Sequence, residues 1–245
     1  MVEVLLAGES WVTLQFEIKG QNVLRDSTYE EAAGRFVKTL EATGASVTYQ
    51  PCHVAATDFP RTRGELDAYD LVILSDVGAD TLQITPQVAG GETDVDRCAL
   101  LESWVADGGA LGMVGGYMSF AGKGGQARYG TTPVGKALPV TIGQGDDRVE
   151  TPAGVTPKNV ATPVESLPAE WPTILGYNRF TADPGADVWA TVGDDPFLVV
   201  GDHGAGGTFA YATDCAPHWA PDAFLDWDHL PTLWGAVIDA VVGDR

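Results

Sequence analysis

The residues able to do chemistry fall at the carboxyl ends of short apolar runs. Ala110 to Val114 is such a run, preceded by Gly108-Gly109 and followed by Gly115-Gly116-Tyr117-Met118-Ser119. A buried strand closed by a glycine turn lets backbone approach a ligand, and at the end of a parallel strand this is where α/β enzymes present a nucleophile. The turn has the outline of a nucleophile elbow but holds no nucleophile at the expected place. Other runs end in Glu9, Ser10 and Trp11, in His53, in Asp76, and in Asp214 with His218 and Trp219. In open α/β sheets ligands bind outside the carboxyl ends of the strands, so these residues are expected to face one crevice.

Glu9, His53, Asp214 and His218 are the candidate catalytic groups, because a carboxylate beside an imidazole moves protons near neutral pH. Asp214 and His218 stand four apart, although Pro217 forbids assuming a helix between them. Ser10, Trp11, Asp76, Gly115, Gly116, Tyr117, Ser119 and Trp219 are the candidate ligand-binding residues, with Tyr117 presented by the turn and Trp219 suited to stacking. Each has a structural alternative. Glu9 could accept backbone donors, His53 could be a satisfied structural histidine, Asp76 is a natural turn residue, and Trp219 could simply pack. Glu9, His53, Asp76, Asp214 and His218 would be the donors of a metal site, but no H-x-x-x-H, H-E-x-x-H or D-x-D spacing supports one, and none is expected. No G-K-[ST] follows a glycine loop, and Gly8-Glu9-Ser10 stands where a dinucleotide fingerprint would begin, so no cofactor is expected.

The elements that must position these residues alternate between strand and helix. Val2–Ala7, Ser46–Gln50 and Asp70–Ser75 read as buried strands. Ser27-Thr28-Tyr29-Glu30 reads as a capping box opening a helix with Tyr29, Ala33, Phe36, Val37 and Leu40 at helical spacing, closed by Gly44. The stretch from Phe59-Pro60 to Leu66–Tyr69 makes a short helical connection, and Val95 to Ala106 forms a helix with Leu101, Trp104 and Val105 inward. This succession predicts parallel strands with right-handed crossovers, hence a doubly wound, mostly parallel sheet between helices. From about 121 to 172 glycine and proline are frequent and periodicity is weak, so loops and short antiparallel strands are expected as an insertion in a single domain spanning 1–245. Strands return at Ile174–Tyr177, Val188–Val192, Phe197–Gly201 and Thr208–Thr213. Asp228 then caps a last helix carrying Leu230, Leu233, Trp234, Val237, Ile238 and Val241, with Pro231 in its first turn.

Composition narrows the partners. With 34 acidic and 14 basic residues the net charge is −20, which disfavours nucleic acid and anionic membranes. Three cysteines, Cys52, Cys98 and Cys215, lie far apart, giving neither a disulfide framework nor a zinc pattern. No apolar run approaches the roughly 18 residues that span a bilayer. The start of the chain lacks a basic region, and a cytoplasmic location is expected.

Gly8-Glu9-Ser10-Trp11, Phe59-Pro60, Tyr69 to Asp76, Gly115 to Phe120, Asp146-Asp147-Arg148, Leu175 to Asn178 and Asp214 to Trp219 together carry a resemblance that runs nearly end to end. By these motifs the chain resembles the class I glutamine amidotransferase-like fold (a flavodoxin-like three-layer sandwich). More closely, it is similar to a family of bacterial cytoplasmic proteins named for glutamine amidotransferases and related to ThuA-like proteins of trehalose utilisation. Active class I amidotransferases carry G-x-C-x-G at the elbow and a later H-x-E. The ungapped match, Gly112 to Gly116, puts Val114 at the cysteine position, and His53-Val-Ala, His203-Gly-Ala, His218-Trp-Ala and His229-Leu-Pro contain no H-x-E. The resemblance therefore implies the fold without glutamine hydrolysis, since a valine forms no thioester. Two functions follow as expectations. One is binding of a small polar metabolite at the strand ends. The alternative is an enzyme acting on a carbohydrate-derived metabolite, with Glu9/His53 or Asp214/His218 as acid and base. Relatives of this fold often pair, so a homo-oligomer is expected as well.

Overall fold

The computed structural model describes residues 1–243. In chain order the elements are β1 (Glu3–Gly8), β2 (Ser10–Lys19), β3 (Asn22–Glu31), α1 (Gly34–Ala42), β4 (Ser46–Gln50), α2 (Cys52–Asp58), α3 (Arg63–Leu66), β5 (Leu71–Ser75), α4 (Ala79–Gln83), α5 (Pro86–Ala89), α6 (Arg97–Ala106) and β6 (Ala110–Val114). After two short 3₁₀ turns come α7 (Pro133–Ala137), β7 (Val140–Ile142), β8 (Arg148–Val155), β9 (Lys158–Asn159), β10 (Ile174–Asn178), β11 (Phe180–Ala182), β12 (Asp187–Val192), β13 (Asp195–His203), β14 (Gly206–Tyr211), α8 (Asp222–Leu225) and α9 (Leu230–Val242).

The central sheet has the order β4-β1-β5-β6-β14-β13-β12-β9. Strands β4, β1, β5, β6 and β14 run parallel, and β13, β12 and β9 complete the sheet antiparallel. The parallel strands are continuous apolar runs because both faces are covered. Val4 to Ala7, Leu71 to Leu74 and Ala110 to Val114 are buried throughout. Helices α1 and α9 pack on each other, with Trp234 edge-on to Phe36 at 4.7 Å and to Phe209 at 5.5 Å. Helices α2, α4 and α6 form a second set, giving the three-layer α/β architecture. The insertion supplies two small antiparallel pairs, β8 with β10 and β7 with β11.

Two details differ from the sequence reading. Ser27 to Glu30 is not a capping box. Residues 10–31 form an antiparallel hairpin, with Ser10 opposite Glu31 and Lys19 opposite Asn22 around a Gly20-Gln21 turn. Val12, Leu14, Phe16 and Ile18 alternate with polar residues at the period of a strand, and that pattern outweighs the local cap spacing. Helix α1 starts only at Gly34, although Phe36 and Leu40 are buried as their spacing predicts and the Gly44 amide bonds the Glu41 carbonyl at 2.9 Å. Nor does Asp228 cap the last helix. His229 holds that position with no side-chain bond, while the six apolar residues of α9 are buried as expected.

Helix α6 opens on Asp96, whose carboxylate accepts from the Cys98 and Ala99 amides. Its first residue, Arg97, is buried and forms no salt bridge among the described residues. Its guanidinium instead donates to the carbonyls of Leu82, Ala55, Ala56 and Thr81 at 2.8 to 3.0 Å, tying α2 and α4 to α6. Arg97→Met would take a donor from four carbonyls, of which Ala55 keeps the Phe59 amide at 3.3 Å, and each carbonyl left unpaired costs about 1–3 kcal/mol. A loss of about 3 kcal/mol or more in urea unfolding is expected, with an unchanged midpoint as the contrary result.

Candidate functional site

Connections leave β1 toward β4 on one side and β5 toward β6 on the other, so the crevice between the carboxyl ends of β1 and β5 is the topological switch point of the sheet. Glu9 follows β1 and Asp76 follows β5. Both take left-handed backbone, φ +48° and +45°, which is uncommon outside glycine and costly enough to persist only where the surroundings hold it. The approach of the strands enforces this. Gly8 has φ +123°, and a Cβ there would fall 1.6 Å from the Ser75 carbonyl oxygen, the same oxygen that accepts the Glu9 amide at 3.0 Å. The Glu9 side chain is thereby turned inward under the crevice.

There it is fully buried. Glu9 Oε1 accepts from Ser75 Oγ at 2.5 Å, while Oε2 has no hydrogen-bond partner among the described residues. Asp214, buried just past β14, accepts the Ala216 amide at 2.9 Å, and Cys215 Sγ lies 3.5 Å from Ser75 Oγ. One carboxylate oxygen of Glu9, one of Asp214 and Cys215 Sγ lie within 4.8 Å of one another, the group among the described residues that could hold a metal ion. Burial, reinforced by the charge of Asp76, raises the Glu9 carboxyl from near 4.5 to about 8. Burial and the charges of Glu9 and Asp76 push Asp214 well up, and burial raises Asp76. Like charges this close cannot all ionise in a poorly solvated site, so the cluster holds a proton at neutral pH.

On the outer side of the cluster Asp76 and Tyr117 are half-buried and His218 is exposed. Asp76 Oδ1 accepts the Met118 amide at 2.6 Å, and its own amide donates to Ser119 Oγ, which in turn donates to the Val114 carbonyl at 2.6 Å. His218 Nδ1 stands 3.9 Å from Asp214 Oδ2, and burial lowers the His218 pKa, favouring neutral imidazole. Its ring meets Tyr117 edge-on at 4.3 Å and stacks beside Trp219 at 5.4 Å. Tyr117 donates to Glu150 Oε1 and Trp219 Nε1 donates to Glu150 Oε2, each at 3.1 Å, while Arg148 and Lys123 lie over the Tyr117 ring. The insertion thus walls the crevice through β8.

The structure brings Glu9, Asp76, Asp214, His218, Tyr117 and Trp219 together. It does not pair Glu9 with His53. His53 is exposed and packs edge-on against Tyr29 at 5.3 Å, lining with Ser10, Trp11, Val12 and Cys52 a separate pocket of about 370 Å³. Ser10 Oγ accepts the Cys52 amide at 2.8 Å. Gly115 and Gly116 allow close approach, since a Cβ on Gly115 would lie 2.1 Å from the Ala212 carbonyl and one on Gly116 2.8 Å from Asp76 Oδ1. Their amides are already bonded, Gly115 to the carbonyls of Tyr211 and Thr213 and Gly116 to Asn178 Oδ1. Asn178 Nδ2 donates to buried Asp147, which also accepts the Ala121 and Gly122 amides, so the Asp146-Asp147-Arg148 motif pins the glycine turn. Val114 is buried as the last residue of β6, and no helix follows it directly, unlike the strand–turn–helix of a nucleophile elbow. Sequence reasoning missed Ser75, Glu150 and Asn178, polar residues within strands whose pairing partners bring them to the site.

Fold and site together define a glutamine amidotransferase-like α/β protein. The chain belongs to the family described as "Putative glutamine amidotransferase", which matches residues 3–243. It is similar over its length to two solved cytoplasmic proteins of Salmonella typhimurium. To STM3548 it is 33% identical with TM-score 0.92, covering 97% of this chain and 98% of that one. To STM1381, from strain LT2, it is 35% identical with TM-score 0.93, covering 98% and 99%. A "Putative thua-like protein" from Parabacteroides merdae shares the fold at 12% identity, TM-score 0.54, with 100% and 92% covered. Among curated proteins none matches the chain. No described helix is long and apolar enough to cross a membrane.

The raised Glu9 pKa links stability to pH. Between about 4.5 and 8 the folded state holds a proton that the unfolded state has released, so stability is greatest at the acid end and falls as pH rises, by up to about 1.4 kcal/mol per pH unit for one such group. Glu9→Gln, uncharged at every pH, should flatten this fall and melt above the native chain at pH 8. Parallel pH–stability curves for the two proteins would contradict the assignment.

Proposed function

We propose that this amidotransferase-like protein binds a small, polar, hydroxyl-bearing metabolite in the strand-end crevice and does not hydrolyse glutamine. The observation that carries this reading is the convergence of Asp76, His218 and Tyr117 above the buried Glu9–Asp214 pair, at the switch point of a sheet whose elbow residue is Val114. Carboxyl groups near the surface can accept from ligand hydroxyls, and the half-buried Tyr117 can meet such a ligand, whereas Trp219 is fully buried and backs the site as packing. Glutamine hydrolysis through a thioester needs a thiolate. Burial raises the thiols of both Cys52 and Cys215, and for Cys215 the neighbouring Glu9 and Asp214 raise it further. The net charge of −20 argues against nucleic acid and anionic membranes as partners, and the names of the two Salmonella relatives support a cytoplasmic location.

A second reading is favoured by the titration of the same groups. A proton-holding carboxyl cluster beside a neutral imidazole supplies a general acid and a general base at one pH, as an enzyme acting on a carbohydrate-derived metabolite would need. Asp214 and His218 take these roles, while Glu9 and His53 do not meet. The name of the ThuA-like neighbour suggests sugar derivatives as the first compounds to try.

A thermal-shift panel of glutamine, sugars, keto-sugars and sugar phosphates tests both. A bound ligand at a hundredfold excess over its dissociation constant adds about 2.7 kcal/mol of stability. A sugar-type hit abolished by Asp76→Asn and Tyr117→Ala is expected, and turnover with a bell-shaped pH profile lost in His218→Ala would select the enzyme. Glutamate release from glutamine that depends on Cys52 or Cys215 would overturn the proposal.

A further inference from the structure

Apart from Ser10, every residue of β2 and β3 is exposed, so the hairpin projects from the body and has almost nothing packed on it. Its two faces differ. Cross-strand pairing places Val12 opposite Tyr29, Leu14 opposite Ser27, Phe16 opposite Arg25 and Ile18 opposite Val23 on one face. The other face is mostly polar, with Thr13 opposite Thr28, Gln15 opposite Asp26 and Lys19 opposite Asn22, and its two apolar residues, Trp11 and Leu24, stand apart opposite Glu30 and Glu17. The six large apolar residues of the first face are each 48% to 75% exposed. A two-stranded hairpin with an uncovered apolar face is marginal in water, and contiguous exposed apolar patches of this extent mark interaction surfaces.

We propose that this face is a self-association surface, packed against the same face of a second copy of the chain. Six such side chains expose on the order of 600 Å² per copy, so a twofold pairing buries about 1,200 Å², which reaches the range of specific interfaces. Charge fits the same occupant. On a chain of net charge −20 the apolar face carries one basic residue, Arg25, toward its tip, lying over Phe16 at 5.9 Å, and one acidic residue, Glu31, at its base. Two hairpins crossing antiparallel about a twofold axis direct Arg25 of each toward Glu31 of the other, as an isologous contact requires. Val12 and Tyr29, the innermost apolar pair, also line the 370 Å³ pocket beside His53, so the second copy reaches the edge of the strand-end region.

The test is the mass in solution at micromolar concentration, by sedimentation or light scattering. The native chain should run as a dimer, at twice the 25.8 kDa of one copy. Leu14→Asp with Phe16→Asp should halve that mass, while Thr13→Asp with Gln15→Asp on the polar face should leave it unchanged. Because the hairpin stands outside the core, all variants should stay folded, with a cooperative melt and unchanged far-UV circular dichroism checked alongside. A native chain that runs as a monomer, whether or not it binds neutral lipid vesicles, would overturn the proposal. So would a dimer indifferent to Leu14→Asp with Phe16→Asp.

Discussion

The burial of the Glu9 carboxyl is the constraint on which the rest of the site depends. A carboxylate with no cationic partner cannot be taken from water at full charge, so it must share or hold a proton. Ser75 satisfies one oxygen, and Asp214 and Asp76 lie near enough that their charges work against ionisation. The left-handed turns at Glu9 and Asp76 and the contact of Gly8 with β5 exist in service of this arrangement, because without them the side chains would leave the crevice. The strain and the buried acid lie at one place, the switch point of the sheet, where the two halves of the topology part.

A second layer fixes the roof. Asp147 and Asn178 hold the glycine turn from one side, Ser119 from the other, and Glu150 bridges Tyr117 and Trp219. The insertion that looks irregular in sequence is what reaches the strand ends, through Glu150 of β8. The glycines at 115 and 116 serve packing, with both amides committed to the protein.

Much of the fold was legible because buried parallel strands are unbroken apolar runs, and β1, β5, β6 and β14 stand within a residue or two of where those runs predict. Strand-end reasoning likewise collected Glu9, Asp76, Asp214, His218, Tyr117 and Trp219. The hairpin was misread because Tyr29, Ala33, Phe36 and Leu40 happen to fit a helical spacing, while the alternation of Val12 to Ile18 signals a strand that the body does not bury. Glu150 and Ser75 were invisible for a different reason. Their importance comes from contacts 69 and 66 residues away in sequence, to Trp219 and Glu9, which no local pattern records. Arg97 reads as an ordinary charged residue at a helix start, and only the converging carbonyls of α2 and α4 explain its burial.

The central claim is that the strand-end carboxyls hold a proton at neutral pH. Titration of the side-chain carboxyl carbons by ¹³C nuclear magnetic resonance, with Glu9→Gln and Asp214→Asn to assign the signals, tests it most directly. The account predicts that the Glu9 carboxyl stays protonated through pH 7 and titrates near 8, with Asp214 also raised above the ordinary carboxylate range. Carboxyls that all ionise at the ordinary values of exposed Asp and Glu, below about 5, would contradict it.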